Sequence, residues 1–277
     1  MAKLHDAPES SSADSVAALL TGPPIPSCMI VVPCYNEYAR LQSERFLDFA
    51  RLNDAVHFLF VNDGSKDNTL QKLLDLHSQL PEQIHVLDLK QNGGKAEAVR
   101  AGMLVAIDQY RPSTVGFWDA DLATPLNIIP EFITILHANA QLRMVFGARV
   151  RLLGHRIRRR AIRHYLGRIF ASVVSLVLRL PIYDTQCGAK LFLVTPELSQ
   201  VLGAKFLSKW VFDVEILARY IAYHQGDVSY LSEVIYEAPL NSWEDVAGSK
   251  VGPSDFFKAF IDTFRIYRKY LLPLKRV

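Results

Sequence analysis

Four times in its first 125 residues this chain runs through a short apolar stretch that stops at a polar cluster, with a helix-spaced segment after it. Cys28 to Pro33 runs into Cys34-Tyr-Asn-Glu37, and Val56 to Val61 into Asn62-Asp-Gly-Ser-Lys-Asp-Asn-Thr69. Ile84 to Leu89 leads to Gln91-Asn-Gly-Gly-Lys-Ala96, and Val115 to Trp118 ends in Asp119-Ala-Asp121. Between them, Tyr38 to Leu52, Leu70 to Leu80, Ala96 to about Tyr110 and the segment from Pro125 carry apolar residues at helical spacing, and Met144 to Ala148 supplies a fifth strand. Strand and helix in alternation, with the polar residues always at a strand's exit, predict a doubly wound, mostly parallel α/β sheet flanked by helices. Such a sheet takes its ligand at the carboxyl edge of the strands.

That arrangement gathers Glu37, Asp63, Lys95, Asp119 and Asp121 although they are far apart in sequence. Two carboxylates one residue apart at the exit of an inner strand repel each other, so a cation is expected between or beside them. A hard divalent ion, Mg²⁺ or Mn²⁺, held by one or two carboxylates normally completes its shell with water and substrate phosphates. A nucleotide diphosphate is therefore the expected ligand. The plainer alternative is that Asp119 and Asp121 end a strand and cap the next helix. No G-x-G-x-x-G follows the first strand, which argues against a dinucleotide fold, and no G-x-x-x-x-G-K-[ST] loop is present.

The chain has 277 residues, room for one large core or one core with a small appendage. Its formal charge is only +3, but eight arginines (149, 151, 156, 158, 159, 160, 163 and 168) fall in twenty residues that contain no acid. A patch of that kind suits phosphate, an anionic membrane surface or nucleic acid. Cys28, Cys34 and Cys187 lack metal-ligand spacing and predict reduced thiols in a cytosolic protein. No run approaches the ~20 apolar residues of a membrane span; the best candidate, Ile169 to Leu178, is closed by Arg168 and Arg179. Residues 1 to 26, rich in Ser, Ala and Pro, read as a disordered leader without the features of a signal peptide.

The second half is less regular. His155 to Leu178 reads as one long helix or two, Leu191 to Val194 as a strand, Phe212 to Ala222 as a helix and Val228 to Tyr236 as a strand. Asn241 to Gly252 reads as a loop. The tail from Asp255 interleaves Phe256, Phe257, Phe260 and Phe264 with Lys258, Arg265, Arg268 and Lys269. This tail and Ile169 to Leu178 could lie in a membrane interface or pack on the sheet; the pattern is the same in both cases.

The ordered motifs P-x-Y-N-E, N-D-G-S-x-D-x-T, N-x-G-K, D-A-D, G-x-R and Q-C-G-x-K, spread from Pro33 to Lys250, resemble the family-2 glycosyltransferases of GT-A fold. Within that family, Asp119-Ala-Asp-Leu-Ala-Thr124, Asp184-Thr-Gln-Cys-Gly-Ala-Lys-Leu-Phe192, Trp210-Val-Phe-Asp-Val-Glu215 and Gly248-Ser-Lys250 are similar to dolichyl-phosphate β-glucosyltransferases and their prokaryotic relatives. The resemblance implies a GT-A domain over 27–252 with a basic amphipathic helix over 253–277. It also implies inverting transfer of a sugar, glucose from a UDP-sugar donor before others, to a polyprenyl phosphate acceptor, with Mg²⁺ or Mn²⁺. Polyprenyl-phosphate mannose synthases usually carry Gln where this chain has Ala123, which weighs against GDP-mannose. Many relatives also carry a transmembrane segment, so attachment here is expected to be peripheral, on the cytoplasmic face of a membrane; a soluble transferase acting on a hydroxyl is the rival. Retention of the carboxylates and the lysine argues against nucleic acid as partner.

Carried over residue by residue, the resemblance implies donor contacts from Pro33, Tyr35, Glu37, Asp63, Gly94, Lys95, Asp119, Ala120, Ser249 and Lys250. Asp63 would accept from the base, and Lys95 would reach the diphosphate past two glycines that allow close backbone approach. Asp119 and Asp121 would hold the ion. Arg149 and Arg163 would bind the acceptor phosphate, and Lys190 would complete the anion site. A phosphate acceptor is already an anion and needs no general base, whereas a sugar hydroxyl would need one, for which Asp184 is the nominee. Cys187 is expected to be a packed residue rather than a nucleophile.

Overall fold

A computed structural model describes residues 27–158, 161–244 and 253–276. Strand β1 (Cys28–Cys34) runs beside β2 (Val56–Asp63), with Ile30 opposite Phe58, and β2 beside β3 (Ile84–Leu89). On its other side β1 pairs in parallel with β4 (Thr114–Trp118). Helices α1 (Ser43–Arg51), α2 (Thr69–Gln79) and α3 (Lys95–Val105) connect these strands, and α3 continues into a wider turn to Tyr110. The half of the chain with the clean alternation therefore forms the parallel block that the alternation predicts.

Beyond β4 come α4 (Ile129–Ala138), β5 (Met144–Ala148), the short β6 (Arg156–Arg158) and α5 (Ala161–Leu178). Then follow β7 (Ala189–Leu193), α6 (Pro196–Gly203), α7 (Phe212–Tyr223), α8 (Val228–Val234), β8 (Ile235–Pro239), β9 (Ser242–Glu244) and α9 (Pro253–Ile266). The main sheet has seven strands in the order β3-β2-β1-β4-β7-β5-β8, and β7 alone runs antiparallel to its neighbours. A separate pair, β6 and β9, lies outside it.

Apolar residues fill both faces of the sheet. On one side Val31, Val61, Phe117 and Phe146 pack against α3, α7 and the inner row of α5; on the other Ile30, Phe58, Phe60 and Trp118 pack against α1 and α4. Gly102 in α3 lets that helix lie directly on Val31 and Val61, whose methyls an added Cβ would overlap. All three cysteines are buried free thiols, and burial pushes the Cys187 thiol up, as expected of a packing residue.

The structure corrects the sequence reading in three places. Val228 to Val234 is helix rather than strand, because the Asp227 carboxylate accepts from Tyr230 N and starts a turn; the strand follows at Ile235. The stretch from His155 opens with β6 before its helix begins at Ala161, and β9 occupies part of the expected loop after Asn241. Residues 1–26, read as a leader, lie outside the described residues.

Helices α5 and α9 meet through the rings of Phe170 and Phe260, 5.5 Å apart. Each buries one face and exposes apolar side chains on the other: Tyr165, Ile169 and Leu176 on α5, and Phe257, Ile261 and Phe264 on α9. Among the described residues, no helix is long and apolar enough to cross a membrane.

Candidate active site

The polar turns at the strand exits are tied to one another before any ligand is considered. After β1 the chain turns at Asn36, whose backbone N–H donates to Ser65 Oγ (3.0 Å) and whose side-chain oxygen accepts from Lys66 N (2.8 Å). Glu37 N donates to Thr69 Oγ1 at 2.8 Å, so the first two motifs form one unit. Gly64, with φ +62°, closes the second turn where a Cβ would strike the backbone of Gln91 and Asn92.

Asp63, 2% exposed at the end of β2, anchors the next loop. Its carboxylate accepts from Gly93 N (2.7 Å), Gly94 N (2.9 Å) and Asn92 Nδ2 (3.0 Å). Its carboxylate is engaged by this loop and does not cap α2. Burial holds its carboxyl above the usual range, against the pull of those N–H donors and of Lys209. Gly94 takes φ +88° immediately before α3, which aims Lys95, the first residue of that helix, into the space between the strand exits.

A cavity of about 530 Å³ occupies that space. Pro33, Tyr35, Glu37 and Arg40 line it from β1, Asp63 from β2, Gly94 and Lys95 from α3, and Asp119, Ala120 and Asp121 from β4. Arg149 enters from the end of β5, and Lys209, Trp210 and Asp213 from the start of α7. Trp243 of β9, Phe170 of α5 and Ala259 of α9 complete the wall.

Several of the charges in the cavity are paired. Lys95 Nζ sits on Asp119 Oδ1, and although burial lowers the affinity of Lys95 for its proton, Asp119, Asp213 and Asp121 together raise it above the usual value. Arg40 reaches Glu37 through Nε (2.9 Å) and Nη2 (2.5 Å). Asp121 accepts from Ala123 N at 3.1 Å; burial and then the neighbouring Asp119 push its carboxyl up. The ionised pair is thus under-compensated. An all-oxygen set of two acids in a cavity wide enough for phosphates suits Mg²⁺ or Mn²⁺ better than a softer metal. Gly188, on the way into β7, has no side chain because a Cβ there would overlap the Asp119 carboxylate.

Arg149 and Asp184 are brought together as a bidentate pair, Nε to Oδ2 at 2.6 Å and Nη2 to Oδ1 at 2.8 Å. The guanidinium lies 5.2 Å from the Trp243 ring, and Asp184 holds it firmly in its protonated form. Asp184 is therefore a partner for the arginine, a poor arrangement for a base. Lys190, 1% exposed, is within the core rather than on the cavity wall, its Nζ 2.6 Å from Asp213 Oδ1 and against the rings of Phe117 and Phe146. The Arg163 side chain, Ser249 and Lys250 lie outside the described residues.

Arg40, Asn92, Lys209, Asp213 and Trp243 belong to the site without having been singled out from the sequence. Asp213 stood inside the Trp210–Glu215 phrase, the one signal that pointed to it. Glu215 of the same phrase, fully buried, ties Leu207 N (2.7 Å) and Arg219 (2.8 Å) and so fixes the loop that carries Lys209 and Trp210.

Comparison with known proteins agrees with this architecture. Residues 29–196 match the family model for glycosyl transferase family 2. Over 270 residues the chain is 32% identical to the dolichyl-phosphate beta-glucosyltransferase of Dictyostelium discoideum, covering 90% of this chain and 76% of that one. The Saccharomyces cerevisiae protein of the same name is 30% identical over 274 residues, covering 89% and 76%. Among solved structures, glucosyl-3-phosphoglycerate synthase from Mycobacterium tuberculosis bound to UDP superposes with a TM-score of 0.60 at 15% identity, over 95% of this chain and 86% of that one. The same enzyme with Mn²⁺, UDP-glucose and phosphoglyceric acid gives 0.61 at 15% identity, over 88% and 80%. At that identity the likeness speaks for the fold. The mixed sheet with its acid pair at the exit of β4 is the GT-A fold, and this chain is a glycosyltransferase that belongs to glycosyl transferase family 2.

Proposed function

We propose that the protein transfers glucose from UDP-glucose to a polyprenyl phosphate of the dolichyl type, with inversion at the anomeric carbon. The observation that carries this reading is the engagement of the cavity's acids. Glu37 is held by Arg40, Asp63 by three N–H donors, Asp119 by Lys95 and Asp213 by Lys190. Asp184, behind the wall, is held by Arg149. Among the described residues Asp121 has a single backbone N–H donor and no cationic side chain in contact, and it belongs to the pair suited to a metal. A hydroxyl acceptor needs a base of the kind these contacts do not leave over, whereas a phosphate monoester arrives as an anion. The names of the two relatives described above support the same acceptor class and sugar.

In this reading Asp63, Glu37 and Tyr35 face the uridine, Gly94 and Lys95 the diphosphate, and Arg149 the acceptor. Asp119 and Asp121 would hold Mg²⁺ or Mn²⁺, which when bound neutralises charge on the departing diphosphate. Lys95 supplies a cation from the protein to that same charge, already in place before reaction. Arg149, fixed edge-on by Asp184 and face-on by Trp243, presents its remaining N–H groups to the acceptor phosphate and orients one oxygen toward the sugar. The new bond is anomeric carbon to acceptor oxygen. The bond to the UDP oxygen breaks, and its electron pair leaves with UDP. No proton transfer is needed.

The exposed apolar rows of α5 and α9, beside Phe170 and Ala259 in the cavity wall, support peripheral attachment to a membrane as the way such an acceptor is reached. The deciding assay is transfer of radiolabel from UDP-glucose with Mn²⁺ to dolichyl phosphate against soluble sugars. Label in the lipid phase, absent without metal, is the expected result; label on a soluble hydroxyl acceptor alone would overturn the reading.

A further inference from the structure

Arg149 is held by Asp184, but what holds Asp184 is a residue that neither the motifs nor the cavity wall single out. Glu237 lies on β8, the edge strand beside β5, opposite Phe146 in the register and two residues before the level of Ala148, after which the chain delivers Arg149. Its carboxylate accepts from two consecutive backbone N–H groups of the segment that leads into β7: Tyr183 N to Oε2 at 2.7 Å and Asp184 N to Oε1 at 2.8 Å. The Asp184 carboxylate in turn accepts from Arg149 Nε (2.6 Å), Nη2 (2.8 Å) and backbone N (3.1 Å), and from Gln186 N (3.1 Å). Three chain segments remote in sequence are thereby locked into one chain of contacts, from the sheet edge to the guanidinium.

A purely structural link at this place would not call for an acid. Placing Glu237 near Asp184 sets two like charges together, and burial followed by Asp184 itself raises the Glu237 carboxyl, against the two N–H donors. What an ionised carboxylate provides is two equivalent acceptors for two adjacent N–H groups. Glutamine offers one oxygen and would turn an NH₂ toward the other N–H; aspartate is one methylene too short to reach both.

We infer that Glu237 is a positioning residue for the transfer reaction: by fixing the Tyr183–Asp184 backbone it sets the Asp184 carboxylate, and through it the angle at which Arg149 meets the acceptor phosphate. This rests on the reading of Arg149 as the acceptor-binding arginine. Glu237 touches neither donor nor acceptor in this scheme, so its effect is confined to acceptor capture.

The test compares Glu237→Gln, Glu237→Asp, Asp184→Asn and Arg149→Lys in steady-state transfer from UDP-glucose to dolichyl phosphate, with UDP affinity measured separately by calorimetry. Glu237→Gln and Glu237→Asp are expected to raise the acceptor KM about tenfold, the effect of losing one charge-assisted contact, with UDP affinity within about twofold of the parent. Asp184→Asn is expected to do the same, and Glu237→Gln combined with Asp184→Asn to cost little more than either alone, since both act through one arginine. Equal losses in acceptor KM and UDP affinity, additive penalties in the double variant, or an acceptor KM unchanged in both Glu237 variants would overturn the inference. If Arg149→Lys raises the acceptor KM while the Glu237 variants do not, the inference alone fails. If Arg149→Lys leaves the acceptor KM alone, the reading of the site fails and the inference with it. Should Glu237→Gln not fold, the Glu237→Asp arm carries the same comparison.

Discussion

Lys190→Met separates a structural lysine from a substrate-binding one. The resemblance placed Lys190 in an anion site, yet its side chain is 1% exposed and its ammonium lies 2.6 Å from an Asp213 oxygen, itself on a side chain 8% exposed. Removing the cation leaves a buried carboxylate without its counter-charge, an event that typically costs about 3–5 kcal/mol. For a chain of 277 residues the unfolding entropy near the midpoint is about 0.6 kcal/mol per degree, from roughly 2.1 cal/mol/K per residue, so the melting temperature should fall by about 5–9 °C. Burial already holds the Asp213 carboxyl above the usual range, with Lys190 and then Lys95 pulling it down. Losing Lys190 raises it further. An acid raised in the folded state binds its proton more tightly there than in the unfolded chain, so the penalty is full at neutral pH. It shrinks as pH falls toward the range where Asp213 is protonated in both proteins. Adding Asp213→Leu to Lys190→Met should recover most of the loss, because a packed apolar pair replaces the orphaned charge. Differential scanning calorimetry at pH 7.5 and pH 5 measures all of this, and calorimetric titration with UDP at 15 °C checks that donor affinity survives in the folded single variant. A melting temperature within 1 °C of the parent, or a penalty that grows on acidification, would refute the argument that this pair is a core contact.

Asp121→Asn should abolish Mn²⁺-dependent UDP binding while leaving the melting temperature unchanged or slightly raised, because the ionised form of Asp121 is disfavoured by burial and by Asp119; titration calorimetry and thermal unfolding read the two effects. Gly94→Ala forces a Cβ into a φ of +88° and against the Lys209 side chain, which should destabilise by about 1–2 kcal/mol and weaken UDP binding as the loop held by Asp63 shifts, both visible in a UDP-dependent thermal shift. Burial, with His57 and His77 nearby, lowers His85 to about 4, so the folded state takes up its proton later than the unfolded chain does. Stability should therefore decline as pH falls from about 6.5 toward 4, and His85→Phe should flatten that decline in urea titrations at successive pH values.

The parallel half of the sheet was legible because β1, β2 and β4 are largely apolar runs buried on both faces, and each exit is marked by turn residues that only a few conformations accept. The convergence of Glu37, Asp63, Lys95, Asp119 and Asp121 on one cavity followed from topology alone, since every parallel strand delivers its exit to the same edge. The second half resisted for identifiable reasons. Val228, Leu231 and Val234 satisfy a helical spacing that β-branched composition disguised, and the cap at Asp227 is a single side chain. β7 is an antiparallel insertion between β4 and β5, and nothing in a strand's own sequence records which way its neighbours run. Arg40 and Glu237 went unnoticed because their roles consist of contacts with residues 3 and 54 positions away, one too ordinary and the other too distant to register as a motif. Lys190 was misleading in the opposite sense: a lysine in a strand-leading polar turn looks exposed until Asp213, 23 residues later, is found beneath it.

In the proposed reading Asp119 and Asp121 form one cation site that UDP completes. Titration of Mn²⁺ followed by electron paramagnetic resonance, with and without UDP, tests it without relying on turnover. About one bound Mn²⁺ per chain is expected in the presence of UDP, and none in the combined Asp119→Asn and Asp121→Asn variant, whose fold is verified by its melting curve. Equal Mn²⁺ uptake by the folded double variant would contradict it.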